Sequence, residues 1–298
     1  MSISWDDQRI FLAVLEEGSL SGAARRLALS HATVRTRLEA LESVLGAVLF
    51  TRSVNGLTPT AGAEALRETA NAMAMASEQF VRQASAPPGE AAGSVRLSVS
   101  ELMGIEVVPP MLASLHAAKP AIHIELSLSD LNADVLAQEV DIAVRTVRPT
   151  QNSLLARKAA TIPLGFFASR DYIARRGAPQ KMADLADHVT VGPDRNARYL
   201  AVAESLGPAF NRGRLALRTD SHPAQLAAVR AGLGIGVAQV PVGLRDRNLV
   251  HILPEIVVAE LDTWLVTHEN LGRVPKVRAV LDHLAAAFAD FVRTPQSG

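Results

Sequence analysis

Apolar positions at helical spacing open the chain. Ile10, Phe11, Val14 and Leu15 fall along one stripe of a helix that Gly18 ends. Ser21 is placed to cap the next helix, whose Ala23 and Ala24 keep the surface low for a close neighbour while Leu27 fills the gap. A turn of Ala28, Leu29 and Ser30 leads to a third helix capped by Ser30, in which Val34, Leu38, Leu41 and Leu45 face inward. At about 100° per residue, Ala32, Thr33, Arg35, Thr36 and Glu39 occupy the outward arc, with His31 on the exposed first turn. Val48, Leu49 and Phe50 read as a strand and Asn55-Gly56 as a hairpin turn, so a β-wing carrying Arg52 follows the third helix.

The pattern then changes. Thr58 can cap a helix with Pro59 at its first position, and no breaker follows until Pro87-Pro88-Gly89, which predicts one long helix. Leu66, Met73 and Phe80 fall seven apart with Ala70 and Ser77 between them, a weak heptad seam. Such a stripe pairs with a second copy or packs on its own chain; the helix's length between two domains favours the second copy. Residues 84–93, rich in Ala, Pro and Gly, read as a hinge.

From Val95 onward short apolar strands alternate with helical segments, which predicts α/β layers with largely parallel sheets. Strands are expected at 95–99, 122–128, 141–145, 164–168, 214–218, 235–238 and 257–266, and helices at 101–118, 130–138, 221–231 and 274–292. Gly232-Leu-Gly-Ile-Gly236 follows a helix and enters a strand, the reverse of a dinucleotide fingerprint, and so reads as a helix cap with a tight turn.

Composition narrows the function classes. A chain of 298 residues, 48% hydrophobic, supports two or three domains with true cores. Net charge is zero and the pI about 7.1, so any nucleic-acid affinity must be local, as Arg25, Arg26, Arg35, Arg37 and Arg52 allow. The absence of cysteine excludes disulfides, thiolate metal sites and cysteine catalysis. The eight histidines lack ligand spacing, no metal or other cofactor is expected, and no nucleophile elbow, Walker loop or zincin helix appears. With no apolar run of membrane-spanning length and no signal segment, a cytoplasmic protein is expected.

Two constellations carry candidate chemistry. An outward polar helix face is commonly just solvated, but a β-wing directly after it favours a helix in the major groove, where small residues permit approach and Arg and Thr reach bases and phosphates. Arg52 could bind a neighbouring phosphate or the minor groove. In the second half, α/β folds bind ligands outside the carboxyl ends of strands, beside helix N-termini. Four such ends are marked: Ser100, Glu101 and Leu102; Arg145 and Thr146; the polar loop from Gly192 through Asp194 to Asn196; and Thr219, Asp220 and Ser221. Ser100, Thr219 and Ser221 serve equally well as helix caps. Arg145 could hold a carboxylate in bidentate fashion, or pair with Glu101 or Asp220 as structure.

The ordered set Ala23-Ala24, Leu27, Ser30, Val34, Leu41-Glu42, Leu45-Gly46, Leu49-Phe50, Arg52, Leu57-Thr58 and Ala61-Gly62 resembles the winged helix-turn-helix of LysR-type transcriptional regulators. By that resemblance Ser30, His31, Thr33, Arg35, Thr36 and Arg37 face DNA and Arg52 holds its backbone. The chain has His31-Ala32 where the family commonly has Gln followed by Pro or Ser, and Arg35 where a small Ser is common. Asp141-Ile-Ala-Val-Arg145, Arg230 to Gly236 and Trp264 to His268 look like the family's effector domain.

The resemblance implies a winged head at 1–60, a dimerising linker helix and hinge at 61–88, and an effector domain at 89–298. That domain would have the two-lobed fold of periplasmic solute-binding proteins, with lobe I at about 94–162 and 267–298 and lobe II at about 163–266. It also implies promoter DNA, a small-molecule effector with an anion among the candidates, self-association as a dimer or dimer of dimers, and RNA polymerase as a candidate partner. The rival is a small-molecule binding module or enzyme whose helical head serves assembly only.

Overall fold

The computed structural model describes residues 3–53, 56–84, 89–129 and 140–293. The helix expected at 130–138, Asn55 of the wing turn and residues 85–88 of the hinge lie outside them. The chain divides into two compact units between Ala84 and Ser85.

In the first unit α1 spans Trp5–Glu17, α2 Leu20–Leu27, α3 His31–Leu45 and α4 Ala61–Ala84, with the strands β1 Phe50–Ser53 and β2 Gly56–Pro59 between the last two helices. Ser4 caps α1 in a reciprocal box with Asp7, and Gly18 ends it in the left-handed conformation. The cap of α2 is Ser19, not Ser21: the Ser19 hydroxyl accepts from the Gly22 amide, so the helix begins two residues earlier than expected. Ser30 caps α3 as expected. Ile10, Phe11, Val14, Leu15, Ala23, Ala24, Val34, Leu38 and Leu41 form one core with Leu49 and Phe50 of the wing. Leu45, expected inward, is exposed together with Val44 and Val48, because the helical core closes at Leu41.

The wing is fastened to that core by polar bonds. The Glu42 carboxylate accepts from the amides of Leu49 and Phe50, and the Leu57 amide donates to the Gly18 carbonyl at 2.7 Å. Gly56 is required beside this bond, since its φ is +133° and a Cβ would stand 2.5 Å from the Gly18 oxygen. Thr58 and Pro59 do not start α4. Both lie in β2, paired with Thr51 and Phe50, and Thr60 receives the Ala63 amide as the capping residue. Along α4, Ala63, Ala70 and Ala74 pack into the head's own core, whereas Leu66, Met73, Phe80 and Val81 are exposed. The expected seam therefore splits: Ala70 belongs to the inward stripe, and the large apolar residues belong to another.

The second unit is built on a seven-stranded sheet with β3 Gly93–Val99, β4 Ile122–Leu128, β5 Ile142–Arg145, β6 Leu154–Ser169, β9 Gly236–Gln239, β10 Leu249–Ile252 and β11 Ala259–His268. A small parallel pair, β7 Val191–Gly192 and β8 Leu217–Arg218, lies beside it. The helices are α5 Val108–Ala118, α6 Arg170–Arg176, α7 Ala197–Ser205, α8 His222–Arg230, α9 Val240–Arg245 and α10 Pro275–Arg293. The sheet is mixed rather than largely parallel. β3 pairs in parallel with β4 and β5, but β11 runs antiparallel to β5 and β6, and β6 antiparallel to β9 and β10.

The cause is β6, far longer than the segment expected at 164–168. Its first part, where Arg157, Lys158 and Thr161 interrupt the apolar run, pairs with β11; its last part pairs with β9, which takes over that edge, and with β10 on the other. Phe166 and Phe167 are both fully buried, on opposite faces and in separate cores. The helix expected at 101–118 is interrupted: Met103–Val107 form a π-helical turn before α5 begins. Pro109 and Pro110 supply no amides to the preceding turn, which prevents a continuous α-helical ladder.

Candidate functional site

On α3 the residues His31, Ala32, Arg35 and Thr36 are exposed, and Val34 and Leu38 beneath them are buried. The Ser30 and Thr33 hydroxyls lie 2.8 Å apart at the cap, with the Thr33 amide donating to the Ser30 oxygen. The Arg35 guanidinium donates to Glu39 at 2.8 Å, which raises its pKa above the ordinary value. Arg37 turns back to α1, where it meets Asp7 at 3.2 Å and Asp6 at 3.8 Å. The Ser4 hydroxyl, together with Arg37, holds the Asp7 carboxyl below its ordinary pKa. Arg26 pairs with Glu16 and Glu17. Arg52 is exposed on β1, opposite Leu57. Three of the five clustered arginines are thus held by the head's own carboxylates, so an incoming phosphate would compete with existing pairs.

The second unit encloses a cavity of about 370 Å³, within the usual size of small-molecule sites. Ser100, Leu102, Arg145, Thr146 and Gly192 all line it, so three separate strand ends meet there. The other candidates have structural partners nearby. The Ser221 hydroxyl donates to Glu101 at 3.0 Å, and Thr219 accepts from the Ser221 amide and, through its carbonyl, from Gln225. Asp220 accepts from the amides of Asp194, Arg195 and Asn196. Burial works against that carboxylate, but the three amides outweigh it and lower its pKa. Asp194 is lowered chiefly by its hydrogen bond from Arg212. None of Glu101, Asp194, Thr219, Asp220 and Ser221 lines the cavity; they fix the loops around it.

Arg145 is buried, with its guanidinium on the Ser98 carbonyl and hydroxyl and on its own strand's Val144 carbonyl. It reaches the cavity as part of a polar wall. The lining also holds residues that sequence reasoning missed: Arg198, Tyr199, Phe210, His222, Gln225, Gln239 and Glu260. Two signals could have found some of them. Asn196 caps α7 and puts Arg198 and Tyr199 on its first turn, and Gln239 closes β9, another strand end of the kind already singled out. Tyr199 and His222 meet edge to face at 4.6 Å. Among the described residues no group of His, Asp and Glu could hold a metal, and no helix is long and apolar enough to cross a membrane.

A winged helix-turn-helix joined by a long helix to an α/β unit with a ligand-sized cavity defines a class, the DNA-binding regulators with a separate substrate-binding domain. Residues 5–64 match the bacterial regulatory helix-turn-helix of the lysR family, and residues 88–289 match the LysR substrate binding domain. The chain belongs to the LysR family of transcriptional regulators.

The HTH-type transcriptional regulator DmlR of Escherichia coli is 28% identical over 96% of this chain and 94% of its own length. An HTH-type transcriptional regulator of Xanthomonas campestris is 30% identical over 66% of this chain, which spans 57% of that protein. Two solved structures share the fold: the Vibrio cholerae virulence activator AphB (TM-score 0.61, 22% identity, 95% of this chain and 99% of that one) and CbnR in complex with its target DNA (TM-score 0.71, 19% identity, 96% and 100%). These relatives are regulators rather than enzymes, and this chain is a regulator with a DNA-binding head and a substrate-binding domain.

Proposed function

We propose that His31, Thr33, Arg35 and Thr36 read operator bases in the major groove while Ser30, Arg37 and Arg52 meet the phosphates, and that the cavity of the second unit binds a small cytoplasmic effector. The exposed polar face of α3 beside the wing, over a fully packed core, is the observation that carries the first part. The cavity at Ser100, Leu102, Arg145, Thr146 and Gly192 supports the second, with Glu101, Asp194, Thr219, Asp220 and Ser221 holding its loops. The domains run 1–60, 61–88 and 89–298, with the lobes exchanging near Ile162 and Thr267.

A second copy pairs through the exposed Leu66, Met73 and Phe80 stripe of α4, and two heads then read a pseudo-palindromic site. Higher assembly would be a dimer of dimers, with RNA polymerase a further partner at the promoter. Effector binding biases the geometry between the lobes or subunits, and α4 carries that bias to the heads.

A gel-shift titration against the DNA upstream of the protein's own gene tests this. The expected result is sequence-selective retardation that weakens steeply with salt, by a slope of about −0.9 per phosphate neutralised. Arg35→Ala with Arg52→Ala should abolish it at unchanged thermal stability. Selective retardation that survives both substitutions would remove these residues from the interface.

A further inference from the structure

Gln239 is 3% exposed and lines the cavity. Its amide nitrogen faces the Met103 sulfur at 3.8 Å, a weak acceptor, and its Oε1 has no hydrogen-bond partner. A buried amide end left unmatched is costly, and exchanging the amide oxygen and nitrogen only moves the deficit from one end to the other. The cavity's lining also includes the apolar side chains of Leu102, Leu164, Phe210 and Val242. Arg198, by contrast, is exposed at the cavity's edge and enters no ion pair among the described residues. Glu260 is the exposed carboxylate of a lining that also holds the guanidinium groups of Arg145 and Arg198.

Building on the effector reading above, we infer that the ligand is a small organic monoanion with an apolar body and a hydroxyl at its far end. Arg198 receives the anionic group at the mouth. The body lies against the aliphatic wall, and Gln239 reads the terminal hydroxyl on the floor. A hydroxyl fits because it both donates and accepts, and so completes the Gln239 amide in either orientation. The exposed Arg and the buried Gln fix which end enters first. A cavity of about 370 Å³ accommodates a metabolite of this kind rather than a nucleotide or peptide. Gln239 is then the specificity-determining residue, because a site with a buried unmatched amide rejects an analogue that lacks the hydroxyl.

Calorimetric titration and thermal shift of the full chain test this with hexanoate, ω-hydroxyhexanoate, phenylpropanoate, its para-hydroxy derivative and the neutral diol hexanediol. The hydroxylated acids should bind roughly tenfold more tightly than their parents, the upper end for one net hydrogen bond. Gln239→Leu should erase that preference while leaving the parent acids bound, and Arg198→Gln should weaken all acids alike. A hydroxyl preference that persists in Gln239→Leu, or binding of the diol as tight as that of the acids, overturns the inference. So does the absence of binding by every acid. Direct binding of unrelated neutral sugars or of amines, lost in Ser100→Phe, would then leave the effector reading standing, whereas a cavity that takes none of these probes sinks both.

Discussion

At the scale of single residues, the turn between α2 and α3 carries a strained position. Ala28 has a φ of +54° at the helix C-cap, a conformation that costs an L-residue about 1–2 kcal/mol relative to right-handed backbone. Ala28→Gly should therefore stabilise the head by roughly 0.5–1 kcal/mol after the added chain entropy of glycine, read as an upward shift of its denaturation midpoint. His251 offers a different test. Its ring stacks on Phe167 at 4.7 Å, its Nε2 is buried without a partner, and burial lowers its pKa, only partly opposed by Glu255. The unfolded chain thus takes up a proton near the ordinary value of about 6.5, while the folded one resists it. Stability from this group is complete above that value and declines as pH falls below it. The melting temperature should fall as pH drops below about 6.5, and His251→Gln should flatten that slope. Asp7 and Asp194, lowered from already acidic values, lose their contributions only in more acidic solution.

At the scale of elements, α4 presents two faces with separate duties. Ala63, Ala70 and Ala74 let it lie close against the head, and Phe80 and Val81 are 74% and 64% exposed. Met73→Glu with Phe80→Glu should convert the protein to monomers in sedimentation velocity and lower operator affinity more than tenfold, without lowering the melting temperature of the head. Retention of the dimer would place the subunit contact elsewhere. The seven-residue spacing is visible in the sequence, but its division is not: Ala70 shares the spacing of Leu66 and Met73, and only its packing into the head's core separates it from them. Ser19 displaced Ser21 as a cap for a similar reason. Both are serines at the start of a helical stretch, and only the hydrogen bond from the Gly22 amide to Ser19 decides between them.

At the scale of the whole second unit, a network joins segments far apart in the chain. Arg230 at the end of α8 grips both oxygens of Glu106 at 2.6 and 2.8 Å and one oxygen of Asp246 at 2.7 Å. Glu106 belongs to the π-helical turn that also carries Met103, a wall of the cavity. Arg230→Met leaves two carboxylates facing each other and should cost roughly 1–3 kcal/mol, between the limits for exposed and buried pairs. Because the same turn lines the cavity, the substitution should also change effector affinity, whereas Arg157→Met, at an exposed pair with Asp282, should change neither.

The sequence by itself determined the third helix, its cap, the wing, the long helix and the alternation of strands and helices. Each rests on contacts within a few residues, where periods of 3.6 and 2 leave a visible trace. It also marked Ser100, Arg145 and Gly192, because strand ends announce themselves locally. Tertiary structure alone decided that these ends share one cavity, that Arg37 answers to Asp7 rather than standing free, and that β6 runs on to make the sheet mixed. It alone left Gln239 buried with an unmatched amide. Those outcomes depend on which distant segments are neighbours, and periodicity records a residue's face without recording what will be packed against it.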